Sequence, residues 1–479
     1  MTKLSDLIAH DFDADPEIAG VTADSRKVRP GFVFAALPGA AADGRAFIPQ
    51  ALAAGAVAII AAEDTADVDA PLLRTPDPRR VYALAAKAFW GAQPETVVAV
   101  TGTNGKTSVA TFCRQIFARL GRTAGSMGTL GVTVGTEEIV PPGLTTPDAA
   151  DVAELLASLE KRGVTHLALE ASSHGVEQKR LDGVTLTAAA FTNLSQDHLD
   201  YHGTMASYLH AKLALFDRLL PRGAPAVLNA DDEACRYFAA AASQRGQRVL
   251  TVGEAGTFLR LVGCEATPEG QTLTIEAEEA AHTVRLPLVG AFQASNALVA
   301  AGLCAAAGEP VAAVLAALEH LEGARGRLER VGSARRGGEA YVDYAHTPEG
   351  LATVLEALRP HARGRLIAVI GAGGDRDRGK RAGMGEAAAR LADFTIVTDD
   401  NPRSEDPADI RCQVLAGAPG ALEIGDRREA IREAASMLRD GDVLVVAGKG
   451  HEQGQIVGGV VHPFDDATEV ARALEAACG

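Results

Sequence analysis

The residues with the most evident chemistry form the stretch Thr101–Ser108 (TGTNGKTS), directly after the apolar run Thr96–Val100. A β-branched run that leads into glycines and then Lys106-Thr107 is typical of a strand, a phosphate-binding loop and a helix. Glycines let backbone N–H groups approach a polyphosphate, the lysine adds charge at the terminal phosphates, and a hydroxyl can hold magnesium. The pattern is GxxGKT rather than GxxxxGK[ST], because Val100 stands where the first glycine would be. We therefore predict binding of ATP with Mg²⁺ by Gly102, Thr103, Asn104, Gly105, Lys106, Thr107 and Ser108.

A second candidate is the carboxylate of Glu170, which ends the predicted strand 165–171 and precedes Ser172-Ser173-His174-Gly175. The carboxyl ends of strands face the ligand crevice in open α/β sheets, so Glu170 is placed to hold magnesium near the phosphates. The alternative is an ordinary solvated carboxylate. Gln178 and Arg180 follow on a turn or short helix and could bind an anionic substrate.

A third candidate is the stretch 191–203 (FTNLSQDHLDYHG), which follows another predicted strand end. Its aspartates and histidines, His198 among them, are compatible with a metal site, a general base or a capped loop. Lys212 lies in the predicted helix 207–216. Without further context it would be an ordinary surface lysine.

The elements that must position these residues alternate as in an α/β protein. Strand-like runs at 165–171, 184–192, 224–229 and 248–252 alternate with helical segments, which predicts a central, P-loop-type, doubly wound parallel sheet. The alternating residues of 258–290 predict an antiparallel addition. The alternation restarts at 341–344, 366–370, 394–398 and 443–447, which predicts a Rossmann-like C-terminal domain. We predict three domains, at 1–92, 93–325 and 326–479.

Composition excludes several classes of protein. The 479 residues carry a net charge of −16, so a general nucleic-acid-binding or anionic-membrane surface is not expected. The six cysteines form no CxxC motif and predict reduced, mostly buried thiols. The N-terminus lacks a signal-peptide pattern and no apolar run is long enough to span a membrane, so we expect a soluble cytoplasmic protein.

Several of these motifs together resemble the Mur ligase family of ATP-dependent, amide-forming enzymes. The order TGTNGKTS, EASSHG, NLSQDHLDYHG and the helix lysine is the family's order. Four further stretches match along the chain: 290–296 (GAFQASN), 326–329 (GRLE), 342–348 (VDYAHTP) and 448–452 (GKGHE). The resemblance covers nearly the whole chain. It also extends to 21–26 (VTADSR), which is similar to a UDP-binding N-terminal domain.

The resemblance implies phosphorylation of a substrate carboxylate by ATP, followed by attack of an amino group on the acyl phosphate. It implies that Lys106 stabilises the transferring phosphoryl group, that Thr107 and Glu170 hold one magnesium ion, and that His198 helps to hold a second. Lys212 matches a position that is carbamylated in the family, where the carbamate oxygen bridges to magnesium. Further nucleotide contacts implied by the resemblance are Asn296, Arg327 and Asp343, with His346 beside them.

Substrate contacts also carry over from the resemblance. Ser25 is implied for a uridine group, and the residues implied for a muramoyl-dipeptide are Thr145, Thr146, Ser172, Gln178 and Arg180. Those implied for the incoming amino acid are Arg376, Asp400, Asn401, Pro402, Arg403, Gly448 and Glu452. The implied reaction joins meso-diaminopimelate to the D-glutamate of UDP-MurNAc-L-Ala-D-Glu, with small molecules as the only partners and a monomeric enzyme.

Selectivity for meso-diaminopimelate has a physical reason of its own. This amino acid is lysine with an extra carboxylate at the far end, which favours recognition by an arginine fork. Arg403, in 400–403 (DNPR), and Arg376 supply that group, and Glu452 could accept from the distal ammonium. Read alone, Asn-Pro marks a turn.

Alternatives remain open at this point. They are the same reaction with L-lysine, a sister ligase that adds D-Ala-D-Ala or polyglutamate, and a non-catalytic regulator, although a regulator is expected to lose catalytic residues that this chain keeps. A dinucleotide-dependent oxidoreductase, from 371–374 (GAGG), is disfavoured because a charged loop follows those glycines. Gln293 stands where the family pattern has an asparagine, and Ala171 replaces a more usual valine.

Overall fold

The computed structural model describes residues 2–10, 14–39, 42–267 and 269–476, and the chain divides into two units. The first unit comprises Met1–Arg260 and Leu298–Ala317, and the second comprises Leu261–Ala297 and Leu318–Gly479. The first unit is therefore discontinuous in sequence, because its last segment, Leu298–Ala317, follows a segment of the second unit.

The N-terminal part of the first unit is a four-stranded parallel sheet in chain order. Its strands are Gly20–Thr22, Phe32–Ala36, Ala56–Ala62 and Leu72–Thr75. A two-stranded sheet precedes it, Thr2–Lys3 with Glu17–Ile18, and the helices are Leu4–Leu7, Ile48–Ala53 and Pro78–Trp90, with a 3₁₀ turn at Gly44–Phe47. Pro78 starts the longest helix directly after Asp77, whose side chain accepts from Arg80 N and so caps it.

The rest of the first unit is built on a larger, mostly parallel sheet. In spatial order its strands are Glu137–Val140, Gly131–Val134, Ala124–Gly128, His166–Glu170, Thr96–Thr101, Ala188–Phe191, Pro225–Asn229 and Arg248–Gly253. The first two pairings are antiparallel and the others parallel. Because the order reverses on either side of Thr96–Thr101, the sheet is doubly wound as predicted, and the switch point falls at the phosphate loop.

Helices cover both faces of this sheet. They are Lys106–Arg119, Ala149–Lys161, Ser173–Glu177, Leu199–His202, Met205–Ala214, the π-helix Leu215–Leu219, Cys235–Gln244, the part of Ala291–Ala306 that belongs to this unit, and Val311–Ala317. The central strands Thr96–Thr101, His166–Glu170 and Ala188–Phe191 are buried along their whole length, with Val97, Ala99, Leu167 and Leu169 inside the core. Burial on both faces explains why these strands read as continuous apolar runs.

The second unit contains the other predicted α/β sheet. Its strand order is Glu329–Ser333, Glu339–Asp343, Val443–Ala447, Leu366–Ile370, Phe394–Val397 and Leu422–Glu423, parallel except for the first pair. Its helices are Pro348–Leu358, Lys380–Leu391, Pro407–Leu415, Arg427–Ser436 and Asp466–Ala476, with 3₁₀ turns at Leu318–His320 and Arg359–His361. An antiparallel hairpin, Gly454–Val457 with Val460–Pro463, extends from it.

The antiparallel addition is also confirmed. Strand Leu259–Thr267 is followed by the antiparallel pair Gly270–Ala277 and Ala280–Leu286, although its first residues pair in parallel with Arg248–Gly253.

Two sequence predictions were wrong in detail. The strand predicted at 184–192 is confined to Ala188–Phe191, because the backbone of Thr185 bonds to the side-chain amide of Gln93 at 2.9 Å in both directions. The prediction of mostly buried thiols was also wrong, because only Cys113 and Cys304 are buried among the five cysteines in the described residues. The sixth, Cys478, lies outside those residues. Within the described ranges no helix is long and apolar enough to cross a membrane.

Candidate active site

The phosphate loop joins the central strand Thr96–Thr101 to the helix Lys106–Arg119, as the sequence predicts. Gly102 has φ +151°, and a Cβ there would lie 1.9 Å from Thr192 Oγ1, so only glycine fits. Gly105 has φ +86° and starts the helix. The loop is held by Asn193, which accepts from Thr103 N at its backbone oxygen (2.8 Å) and from Asn104 N at Oδ1 (2.9 Å).

Two lysines meet at one carbonyl of this loop. Lys106 Nζ donates to Gly102 O (2.9 Å) and Thr103 O (2.8 Å), and Lys212 Nζ donates to the same Gly102 O at 2.6 Å. Lys212 is 1% exposed, so the alternative of a surface lysine is wrong. Its ammonium lies 4.3 Å from the centre of the Tyr208 ring. Burial, and then repulsion by Lys106, holds the pKa of Lys212 well below its usual value.

Glu170 lies at the end of the strand next to the phosphate loop and is 3% exposed, which excludes the solvated alternative. Its Oε2 accepts from Thr107 Oγ1 (3.0 Å) and Thr129 Oγ1 (3.2 Å), and its Oε1 accepts from Thr129 N (2.9 Å). Thr129 is a site residue that the sequence motifs do not indicate. Its signal was position, directly after the strand Ala124–Gly128, where a third carboxyl end meets the same crevice.

The predicted muramoyl-dipeptide residues of this unit converge beside Glu170. Thr129 Oγ1 and Thr145 Oγ1 are 2.9 Å apart, and Thr146 Oγ1 donates to Glu170 O at 3.0 Å. Ser172 Oγ donates to Thr146 Oγ1 at 3.0 Å. A chain of hydroxyl contacts therefore runs from the phosphate loop to these residues.

Arg180 and Gln178 complete that group. Arg180 Nη1 donates to Thr146 O and its Nη2 to Gln178 Oε1, both at 2.7 Å. Gln178 Nε2 donates in turn to the hydroxyl of Tyr201 at 3.1 Å. Ser25 lies in the N-terminal part, where its hydroxyl bonds to Gln50 Oε1 at 3.4 Å.

The side-chain polar contact of the predicted magnesium residue His198 is with its neighbour Asp197 and not with this group. It has φ +52°, its Nε2 lies 3.3 Å from Asp197 Oδ2, and about half of its side chain is exposed. Its ring lies 5.1 Å from that of His174 and 6.1 Å from that of Tyr208. A role at magnesium stays a prediction for this residue.

The fit of a magnesium ion rests on oxygen atoms. In the part of the chain that the structure describes, no three His, Cys, Asp or Glu side chains are grouped closely enough to hold a metal. Magnesium in phosphoryl-transfer sites needs only one or two protein oxygens, because phosphates and waters supply the rest. The Thr107 hydroxyl and the Glu170 carboxylate, 3.0 Å apart, meet that need. The Lys212 amine supplies no oxygen.

The predicted amino-acid residues gather in the second unit. Gly374 N donates to Asn401 O (2.9 Å), and Arg403 Nη1 donates to Gly374 O (2.7 Å), which joins 400–403 to the loop carrying Arg376. A Cβ on Gly448 would lie 3.1 Å from Asp400 Oδ2. The turn alternative for DNPR is also correct in part, since Glu405 N donates to Pro402 O at 3.1 Å and so closes a turn that includes Arg403.

Lys449 is a buried residue that contacts this group, and it was not predicted from the sequence as a site residue. It is completely buried, and its Nζ lies 2.9 Å from Asn401 Oδ1, 3.3 Å from Glu452 Oε2 and 3.5 Å from Asp400 Oδ1. Asn401 Nδ2 also donates to Glu452 Oε2 at 2.7 Å. A buried cation thus orders two carboxylates and an amide where an ammonium group of a substrate could bind.

The hairpin Gly454–Val457 with Val460–Pro463 holds the same turn from another side. Gln455 Nε2 donates to Asp400 O at 2.7 Å, and Ile456 N donates to Asn401 Oδ1 at 2.9 Å. Arg403 N donates to Ile456 O at 2.9 Å. The conformation of the turn is therefore fixed by contacts that no local sequence pattern reveals.

The second unit also holds the other predicted nucleotide residues. Asn296 Nδ2 donates to Gln293 Oε1 (3.2 Å), and Gln293 Nε2 donates to Arg327 O (3.1 Å), so the longer amide of Gln293 spans two predicted contacts. Asp343 is buried and accepts from Leu328 N (2.6 Å) and Ala345 N (2.7 Å). Burial raises its pKa.

A phosphate loop at the switch point of a doubly wound sheet, with a buried carboxylate one strand away, is the arrangement that P-loop proteins use for a nucleoside triphosphate. By fold the chain is a doubly wound α/β protein with a phosphate loop at its switch point. Three family descriptions match it: "Mur ligase family, catalytic domain" over residues 17–95, "Mur ligase middle domain" over 100–304, and "Mur ligase, glutamate ligase domain" over 326–450. The chain belongs to the Mur ligase family.

Characterised relatives are similar over their full length. A protein of Caulobacter vibrioides is 66% identical over 482 residues, covering 99% of both chains, and one of Brucella melitensis biotype 1 is 55% identical over 462 residues, covering 96% of this chain and 94% of the relative. Both are named UDP-N-acetylmuramoyl-L-alanyl-D-glutamate--2,6-diaminopimelate ligase.

Solved structures agree with this assignment. A UDP-N-acetylmuramoyl-L-alanyl-D-glutamate--2,6-diaminopimelate ligase is 35% identical, with a TM-score of 0.77, covering 100% of this chain and 99% of its own. The MurF ligase of Thermotoga maritima, solved in complex with ADP, shares the fold at 21% identity and a TM-score of 0.63, covering 95% of this chain and 97% of its own.

Proposed function

We propose that the chain catalyses the ATP-dependent formation of an amide bond between meso-diaminopimelate and the D-glutamate of UDP-MurNAc-L-Ala-D-Glu. One observation carries this proposal: hydroxyl and carboxylate contacts link Thr107 through Glu170 and Thr129 to Thr145. Phosphorylation of a carboxylate requires the terminal phosphate of ATP and that carboxylate to be neighbours. The names of the full-length relatives support the same substrates.

In the first step the substrate carboxylate attacks the terminal phosphate of ATP, forming an acyl phosphate and ADP. The protein's part is positioning and charge neutralisation. Lys106 exchanges its present carbonyl partners for phosphate oxygens, and the N-terminus of the helix Lys106–Arg119 faces the same anion. Magnesium held by Thr107 and Glu170 would neutralise charge on the phosphates.

Lys212 is proposed to be carbamylated, on the family resemblance. An uncharged amine attacks carbon dioxide, a carbon–nitrogen bond forms, and one proton leaves. The lowered pKa of Lys212 supports this, because burial and repulsion by Lys106 favour the uncharged amine, which is the form that reacts. The product is an anion, which would attract Lys106 and provide oxygen ligands for magnesium.

In the second step the amino group of the incoming amino acid attacks the acyl phosphate and phosphate leaves from a tetrahedral intermediate. We assign recognition of that amino acid to the group around Asp400, Asn401 and Glu452. Arg403 would bind the distal carboxylate with its planar fork, which distinguishes meso-diaminopimelate from lysine. Asn296, Arg327, Asp343 and Ser25 stay proposed nucleotide and uridine contacts.

The test is phosphate release with ATP, magnesium and UDP-MurNAc-L-Ala-D-Glu, comparing meso-diaminopimelate with L-lysine. Turnover that strongly favours meso-diaminopimelate is expected. Equal turnover with lysine would contradict binding of the distal carboxylate by Arg403 but would still support ligase activity. Turnover with neither would favour a sister ligase or a regulator. We also propose that the enzyme acts as a monomer in the cytoplasm, and light scattering of the purified protein tests the first point.

A further inference from the structure

The helix Ser173–Glu177 is only five residues long, yet it separates two predicted substrate contacts. Ser172 is its N-cap, with Oγ accepting from Gly175 N at 3.1 Å, and Gln178 is its C-cap. A helix of this length is not stable without outside support. The distance between the Ser172 and Gln178 side chains therefore depends on whatever holds this helix.

His202 holds it at both ends. Its Nε2 lies 3.0 Å from Ser173 Oγ and its Nδ1 lies 3.3 Å from Glu177 Oε2, and these are the first and last residues of the helix. Residues four apart share one helix face, so a single imidazole can reach both. The His202 side chain is 1% exposed and its ring packs 5.1 Å from that of Tyr208.

The partners also fix the tautomer of His202. Because a carboxylate only accepts, Glu177 Oε2 at 3.3 Å favours the tautomer with the hydrogen on Nδ1. Burial lowers the pKa of His202, so the imidazole is uncharged near pH 7 and its Nε2 accepts from the Ser173 hydroxyl. Both ring nitrogens are then committed to the helix.

We propose that His202 is a positioning residue that sets the spacing of Ser172 and Gln178 for the muramoyl-dipeptide substrate. This inference rests on the proposed function. The residue next to His202 strengthens it, because the Tyr201 hydroxyl accepts from Gln178 Nε2 at 3.1 Å. The short segment Leu199–His202 thus contacts the helix and the residue that follows it.

A serine, histidine and carboxylate in series also occur in sites that activate a serine nucleophile. Here Ser173 is 2% exposed and lies inside the first turn of the helix. A substrate carbonyl cannot reach its oxygen there, so the series orders the helix rather than forming a covalent intermediate.

The experiment compares His202→Asn, His202→Gln and His202→Ala with the control His210→Ala, which removes an exposed histidine further along the chain. The asparagine amide can replace Nδ1 toward Glu177, and the longer glutamine can replace Nε2 toward Ser173. We expect the KM for UDP-MurNAc-L-Ala-D-Glu to rise about tenfold or more in His202→Ala and less in the two amide variants. The KM values for ATP and for meso-diaminopimelate should stay within about twofold.

Hydrogen exchange gives a readout that does not depend on the reaction. The amides of Val176, Gln178 and Arg180 donate within or just after the helix, and their exchange should be about tenfold faster in His202→Ala than in His210→Ala. Unchanged exchange, or equal rises of all three KM values, would overturn the positioning role. If the wild type has no turnover, the proposed function fails, and exchange alone still decides the role of His202.

Discussion

Replacing Glu170 with glutamine separates its chemical role from its structural one. The amide keeps the shape of the side chain, and its oxygen can still accept from Thr129 N. Its nitrogen then faces the hydroxyls of Thr107 and Thr129, which can rotate to accept instead of donate. All three contacts survive, so Glu170→Gln is expected to fold.

The expected magnitudes differ for stability and activity. Three hydrogen bonds lose charge assistance, and part of that loss is recovered by the rotated hydroxyls, so the free energy of unfolding should fall by about 1–2 kcal/mol. Removing one unit charge about 4 Å from a cation costs about 4 kcal/mol at an effective dielectric constant of about 20. For a group that holds magnesium at the phosphates this corresponds to a loss in kcat/KM of about a thousandfold.

The assay is phosphate release during a magnesium titration, alongside thermal unfolding of the same samples. Glu160→Gln is the matched control, because Glu160 is exposed near the end of the helix Ala149–Lys161. Only Glu170→Gln should lose activity, with some recovery at high magnesium. If it retains activity within about threefold of the control across the titration, Glu170 is not a metal ligand and the reasoning is refuted.

Three other substitutions test separate parts of the structure. Gly102→Ala would place a methyl group 1.9 Å from a hydroxyl oxygen at φ +151°, so the KM for ATP should rise at least about thirtyfold. Gly121→Ala is the control, because Gly121 also has a positive φ (+82°) but nothing lies within 4 Å of its added Cβ. This control should leave the KM for ATP unchanged and lower the free energy of unfolding by only about 1–2 kcal/mol. Burial, and then a nearby arginine, lowers the pKa of His451 from 6.5 to about 4, so the unfolded chain binds the extra proton between those values. As the pH falls through that window the wild type should lose up to about 3 kcal/mol more than His451→Gln, which urea unfolding of both at about pH 7 and about pH 4 would measure. Arg403→Lys should lower kcat/KM for meso-diaminopimelate about thirtyfold and change that for lysine little, and equal losses with both would argue against a fork on the distal carboxylate.

Much of the fold could be predicted because its signals are local. Buried parallel strands read as apolar runs, and glycines mark the phosphate loop. The strand predicted at 184–192 was too long because a side chain from Gln93, ninety-two residues away from Thr185, takes the place of a neighbouring strand. The positions of the domain boundaries stay a prediction.

The candidate site residues could be predicted where they lie in a recognisable sequence motif. They could not be predicted where their role depends on packing between distant segments. The lysine and carboxylate motifs identified Lys106 and Glu170. The support that Lys449 gives to Asn401, and that His202 gives to a short helix, depends on contacts between segments distant in sequence. Thr129 was missed because the strand before it, Ala124–Gly128 (AGSMG), does not read as an apolar run, so its position at a strand end was not recognised. The catalytic roles of all these residues stay predictions.

The division of the chain has a consequence for its synthesis. The first unit is completed only by Leu298–Ala317, which follows the 37 residues from Leu261 to Ala297. In the finished protein Gly302 packs against Val227 and Val252, strand residues that lie 50 or more positions earlier. At roughly 5–20 residues per second, the ribosome needs about 2–7 s for those 37 residues. During that interval the sheet presents apolar surface that its own helix will later cover, which exposes the nascent chain to aggregation.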